Sequence, residues 1–165
     1  MPPLVLLGLI VGAPLLLFIV LRVKPLYIFV SIVTGYFLVT MLGDTAALTF
    51  GSIIHGGSSD TFVKLALLLL PLIITLFLMR KTLSAAALPF QLILLIANAL
   101  MLAEFIVPLL PPGTQHTIYS TQVGSILKQA HDVVIAAVAG LHVIVMWIMR
   151  PRHHGEHGHH GKKHH

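Results

Sequence analysis

Five long apolar runs, with most of the charge in the segments between and after them, constrain this chain more than any other feature. They are Leu4 to Leu21, Leu26 to Leu42, Phe62 to Met79, Leu88 to Leu110 and Ala130 to Met149. A bilayer core about 30 Å thick is crossed by roughly 20 apolar residues in a helix. Each run is therefore read as a membrane span, and the second is the shortest. Only 9% of the residues are charged, against about 25% in an ordinary soluble domain. The mean hydropathy is +0.98. A soluble globular domain, a disordered regulator and a coiled coil are excluded. The chain has no cysteine, which removes disulfides, thiolate metal sites and cysteine nucleophiles. The fold class is all-α: a polytopic bundle of five transmembrane helices over residues 1–150, followed by a flexible tail, 151–165.

The basic residues set the direction of threading. Arg22 and Lys24 lie between the first two spans, and Arg80 and Lys81 follow the third. Arg150, Arg152, Lys162 and Lys163 follow the fifth. With five crossings these eight share one side, and only Lys64 and Lys128 fall on the other. The positive-inside rule then predicts N-terminus out and C-terminus in. The first run lacks the positive charge that precedes the apolar core of a signal peptide. It is read as an uncleaved anchor. The net charge of +5 thus orients the chain and is no nucleic-acid signal.

Two outer loops carry helical patterns. Ala46, Ala47, Phe50, Ile53 and Ile54 follow one helical face, which predicts a short helix lying flat in the outer interface between spans two and three. Gly56-Gly57-Ser58-Ser59-Asp60 breaks it, with Ser59 or Asp60 as N-cap of the third span. Pro111-Pro112-Gly113 ends the fourth span. The polar stretch Thr114 to Leu127 is read as a second interfacial segment, with Tyr119 at headgroup depth.

Helices in lipid associate through close approach and polar contacts. Gly8-x-x-x-Gly12, Ser31-x-x-x-Gly35 and Ala136-x-x-x-Gly140 each place two small residues one turn apart. They are read as packing faces within one bundle, with dimerisation as the alternative. Pro14 and Pro71 interrupt spans one and three, and each removes a backbone donor.

Between the basic turn Arg22-Val23-Lys24 and Arg80-Lys81, the order of elements resembles the colicin V production (CvpA) family over roughly residues 22–84. A small-residue helix, Phe29 to Leu38, is followed by the amphipathic stretch Thr45 to Ile54. A leucine-rich span, Val63 to Met79, comes next. Lys24-Pro25 stands where that family usually carries Arg-Gly. The resemblance implies a small inner-membrane protein tied to colicin export and envelope maintenance, a location rather than a reaction.

Ionisable residues inside a span cost about 2.5–3.5 kcal/mol when charged at its centre, so they mark function by default. Glu104 lies near the outer end of span four. Lys128, His131 and Asp132 open span five, and His142 lies within it. The sharper reading is a proton- or cation-binding cluster with Glu104 as acid and His131 as relay. The plainer one pairs Lys128 with Asp132 at i, i+4. His131, Ile135, Val138 and His142 fall on one helical stripe. The two histidines are about 16 Å apart along the axis, too far to share a metal. Gln91 and Asn98 share a face and are read as contacts between helices.

In the tail, His153, His154, His157, His159, His160, His164 and His165 alternate with glycine, glutamate and lysine. Imidazoles suit zinc, nickel and copper(II), and intervening glycines make such binding labile. No other cofactor is expected. Neither His-Glu-x-x-His nor Gly-x-Ser-x-Gly occurs, and no enzyme is expected. The sequence reading is a non-enzymatic scaffold or accessory subunit acting in membrane assembly or export. The alternative is a component of a proton- or divalent-metal-linked transporter or channel. The expected partners are the lipid bilayer and a second copy or other membrane proteins, without nucleic acid. The expected location is a bacterial or archaeal cytoplasmic membrane.

Overall fold

The structure is a computed structural model and describes residues 2–51, 59–82 and 88–148. It is helical throughout the described residues: α1 Pro3–Leu21, α2 Pro25–Gly51, α3 Ser59–Leu78, α4 Leu88–Ile106, α5 Pro112–Tyr119 and α6 Gln122–Ile148. A 3-10 turn, Val107–Leu109, extends α4. Five of these helices are long and apolar enough to cross a membrane; α5 is too short.

Two boundaries differ from the sequence reading. The amphipathic stretch after span two is not a separate flat helix as far as it is described, because α2 runs on without a break to Gly51. No proline interrupts it, and Lys64 of α3 bonds Asp44 at 2.8 Å, pinning the extension alongside α3. The span expected to be shortest is therefore part of one of the longest helices. Lys64 also bonds Asp60 at 3.1 Å, so Asp60 lies in the first turn of α3 as an ion-pair partner. The side chain of Ser59 lies outside the described residues.

The segment Thr114 to Leu127 is likewise split. Pro111-Pro112 starts α5, where the missing N–H of a first-turn proline costs nothing. Thr121 then caps α6: its hydroxyl accepts from the Gly124 N–H at 3.0 Å. A Cβ at Gly124 would collide with the Ile118 carbonyl, so glycine lets α5 fold tightly against the start of α6. Gln115 donates to the carbonyls of Pro108 and Leu110 at 2.8 and 2.6 Å. These are carbonyls that the end of a helix leaves without intrahelical donors.

Helix α4 is the centre of the bundle. Of its span, 56% is buried, against 11% for α1 and α6. It packs against α1, α2 and α6, while α2 and α3 form a close hairpin. The core joins Phe18, Ile28, Ile32, Leu68, Leu95 and Leu102, with Val138 from α6. A smaller cluster, Leu7, Val107 and Ile118, brings the start of α1 against α5 and the 3-10 turn. At the opposite end the Lys81 N–H donates to Leu21 O, and the Lys24 N–H to Thr82 Oγ1, each at 3.1 Å. Arg22, Lys24, Arg80 and Lys81 thus gather at one end of the bundle. Leu9, Leu16 and Val20 of α1 and Val133, Val143 and Trp147 of α6 face outward. Such an apolar sheath needs lipid, as water would not tolerate it.

The hairpin shows how small residues act here. Gly35 lies against the Leu68 backbone so closely that a Cβ would collide with its carbonyl. One turn earlier, Ser31 Oγ lies 2.6 Å from Tyr27 O and 2.7 Å from Thr75 Oγ1. The Ser31 proton goes to the carbonyl, and the Thr75 hydroxyl donates in turn. Gly8, Gly12 and Gly140 behave differently. A Cβ at each would meet no atom within 4 Å, and Ala136 is exposed. Those two stripes face away from the chain's own packing.

Candidate functional site

The site forms where the end of α4 meets the third turn of α6. Glu104 is 3% exposed, enclosed by the packing that buries Met101 to Phe105 on every side of the helix. Its Oε2 lies 2.8 Å from His131 Nδ1. Its Oε1 is buried and has no hydrogen-bond partner among the described residues. A carboxylate stripped of water needs a cation, hydrogen bonds or a proton, and here one oxygen is satisfied and the other is not.

Glu104 lines a partly enclosed cavity of about 170 Å³. Tyr36 and Val39 of α2, Leu68 of α3, Phe105 of α4, Pro108 and Leu109 of the 3-10 turn and His131 complete the wall. The Tyr36 and Phe105 rings stack at 4.2 Å with an interplanar angle of 16°. The wall is thus apolar and aromatic around one acid–imidazole pair.

The remaining sequence candidates separate. Lys128 does not pair with Asp132. Its ammonium sits 5.3 Å over the Tyr119 ring, a contact between cation and ring quadrupole, and Asp132 is exposed. The turn that α5 makes against α6 carries Tyr119 to Lys128, which no spacing within α6 alone could foretell. Burial, and after it the nearby Glu104 carboxylate, pushes the Tyr119 phenol above its usual value. Tyr36 and Phe105 were not singled out in the sequence. A tyrosine inside an apolar span was the available signal, because its hydroxyl needs a partner or a wet surface.

His142 lies deeper and away from the cavity. It is 2% exposed, with Nδ1 2.8 Å from Val138 O. Its ring stacks on Phe29 at 4.3 Å, and Nε2 has no hydrogen-bond partner among the described residues. Nearby, Asn98 Nδ2 donates to Pro25 O at 2.8 Å and ties α4 to the start of α2. Asn98 Oδ1 and Gln91 Oε1 are buried without hydrogen-bond partners among the described residues. Polar atoms thus recur along α4 and α6, but their packing around His142 is tight. No group of three metal-ligating side chains occurs among the described residues, and the histidines of the tail lie outside them.

The chain matches no family model, no curated protein and no solved structure.

Proposed function

We propose that this chain is a non-enzymatic integral membrane protein, N-terminus out and C-terminus in, whose task is a proton-linked transport step at Glu104 and His131. The observation that carries the reading is Glu104: it lines a cavity, its carboxylate is buried, one oxygen is paired to an imidazole, and the other has no hydrogen-bond partner among the described residues. Intramembrane acids are costly and mark ion or proton pathways. An acid–imidazole pair can exchange a proton within one hydrogen bond. Under the charge-based orientation the pair lies toward the outer face. His142, Asn98 and Gln91 continue the line of buried polar groups toward the basic, inner end.

The test is reconstitution into liposomes carrying an internal pH-sensitive dye. An imposed pH gradient should collapse faster with the intact protein than with Glu104→Gln. Infrared difference spectra between alkaline and acid conditions should show a protonated carboxyl band that the same variant lacks. Equal flux and an unchanged spectrum would remove the reading. A scaffold or accessory role would then lead, supported by the outward-facing Gly8, Gly12 and Gly140, which the described residues leave uncovered.

A further inference from the structure

We infer that the cavity beside Glu104 binds a small organic ammonium with an apolar, single-ring body, and that this cation and a proton alternate on the Glu104 carboxylate. The inference rests on the proton-linked reading of Glu104 and names the substrate class of that site.

Charge gives the first constraint. One oxygen of Glu104 bonds His131, and the other, Oε1, is buried with no hydrogen-bond partner among the described residues. A ligand with one positive charge matches the single charge of this carboxylate. Size gives the second. An apolar cavity of about 150 Å³ accommodates benzene, and this one is about 170 Å³. The wall gives the third. Val39, Leu68 and Leu109 offer only apolar surface, and the stacked Tyr36 and Phe105 rings add aromatic surface. Ring systems favour organic cations, whose hydration is weak and whose charge is spread.

Inorganic cations fit poorly. Calcium and magnesium take six or more oxygens, whereas Glu104 brings the only carboxylate among the residues of this wall. Zinc needs three or four ligands in a tetrahedral arrangement, and here the single imidazole is already turned onto the carboxylate. The cavity would strip such an ion of water without replacing it.

Proton and ammonium compete because both neutralise the same carboxylate. Adding a proton to the Glu104–His131 pair removes the negative charge that the ammonium needs. When the cation leaves and a proton enters, the charge of the site is unchanged. The groups around the pair are few. Tyr36 comes from α2, Tyr119 from α5, and Lys128 from α6, held over the Tyr119 ring. On α3, Lys64 is bound to Asp44 and Asp60, and α1 carries no titratable side chain. Acid should therefore weaken binding through the Glu104–His131 pair.

Calorimetry on the full chain in an uncharged detergent tests this, with benzyltrimethylammonium as probe. Saturable binding is expected in alkaline buffer; in acid it should weaken, and what binding remains should release a proton. Glu104→Gln should weaken it by roughly tenfold or more, since a charge-assisted contact is lost. Val39→Phe fills the cavity and should abolish probe binding while leaving the infrared carboxyl band of Glu104 intact. That pattern separates cation binding from proton binding. If Glu104→Gln does not fold, Val39→Phe and the pH dependence of the intact chain still decide. Equal binding of the uncharged isostere neopentylbenzene, or displacement of the probe by equimolar sodium, would overturn the inference. So would a carboxyl band without any probe binding, which would leave the proton reading standing alone.

Discussion

Gly35 of α2 meets the backbone carbonyl of Leu68 on α3 with no room for a side chain between them. The close approach holds the α2–α3 hairpin and places Tyr36 and Val39, on the next positions of α2, against the cavity that Leu68 also lines. One glycine thus links helix packing to the geometry around Glu104.

Gly35→Ala should destabilise the bundle by about 1–3 kcal/mol, the usual cost of forcing extra atoms into a packed contact. The obstacle is backbone, so no rotamer change relieves it. Gly12→Ala is the control. Its Cβ meets nothing within 4 Å, and alanine is the better helix former. Thermal unfolding in detergent should show a lowered midpoint for the first variant and none for the second. Equal midpoints would contradict the close approach.

Replacing Glu104 separates a hydrogen bond from a charge. Glu104→Gln keeps an acceptor for His131 Nδ1 and should cost little. Glu104→Leu leaves the imidazole facing an apolar wall, at about 1–3 kcal/mol for an unsatisfied polar group. His131 is partly exposed, so the lower half of that range is expected. Should both variants unfold at the same temperature, the 2.8 Å contact contributes nothing to stability.

Tyr119 should titrate late. Its phenol is raised by burial first and by the Glu104 charge second. A raised pKa means that the folded protein prefers the neutral phenol. This contribution to stability is fully present below the unfolded value of about 10 and is lost as pH rises through the folded value. In a chain with Tyr27→Phe and Tyr36→Phe, phenolate absorbance should rise at higher pH than in the denatured chain. Adding Glu104→Gln should shift the rise slightly back down. A shift in the opposite direction would mean that the carboxylate does not act on the ring.

Threading can be read by labelling, because the chain has no cysteine of its own. With the charge-based orientation, Ser58→Cys should react with an impermeant thiol reagent applied from outside, and Gly161→Cys should not. The reverse pattern would invert the orientation and put Glu104 toward the inner face.

Hydrophobicity alone determined that the chain forms five long helices, because backbone groups in lipid must be bonded within each helix. The apolar runs show this without reference to any neighbour. Local chemistry also marked Glu104, His131 and His142 as costly residues in apolar surroundings. What only the tertiary structure decided is which of them meet. The α2 extension past Gly43 runs beside α3, where Lys64 reaches across to Asp44, a pair between two helices. Lys128 passes over Asp132 for Tyr119 because α5 folds back on α6. Glu104 finds His131 while His142 packs on Phe29, since both outcomes depend on how α4 is surrounded. The same small-xxx-small spacing is packed at Gly35 and open at Gly12 and Gly140. Periodicity describes a face of one helix, whereas a contact needs the position and rotation of two.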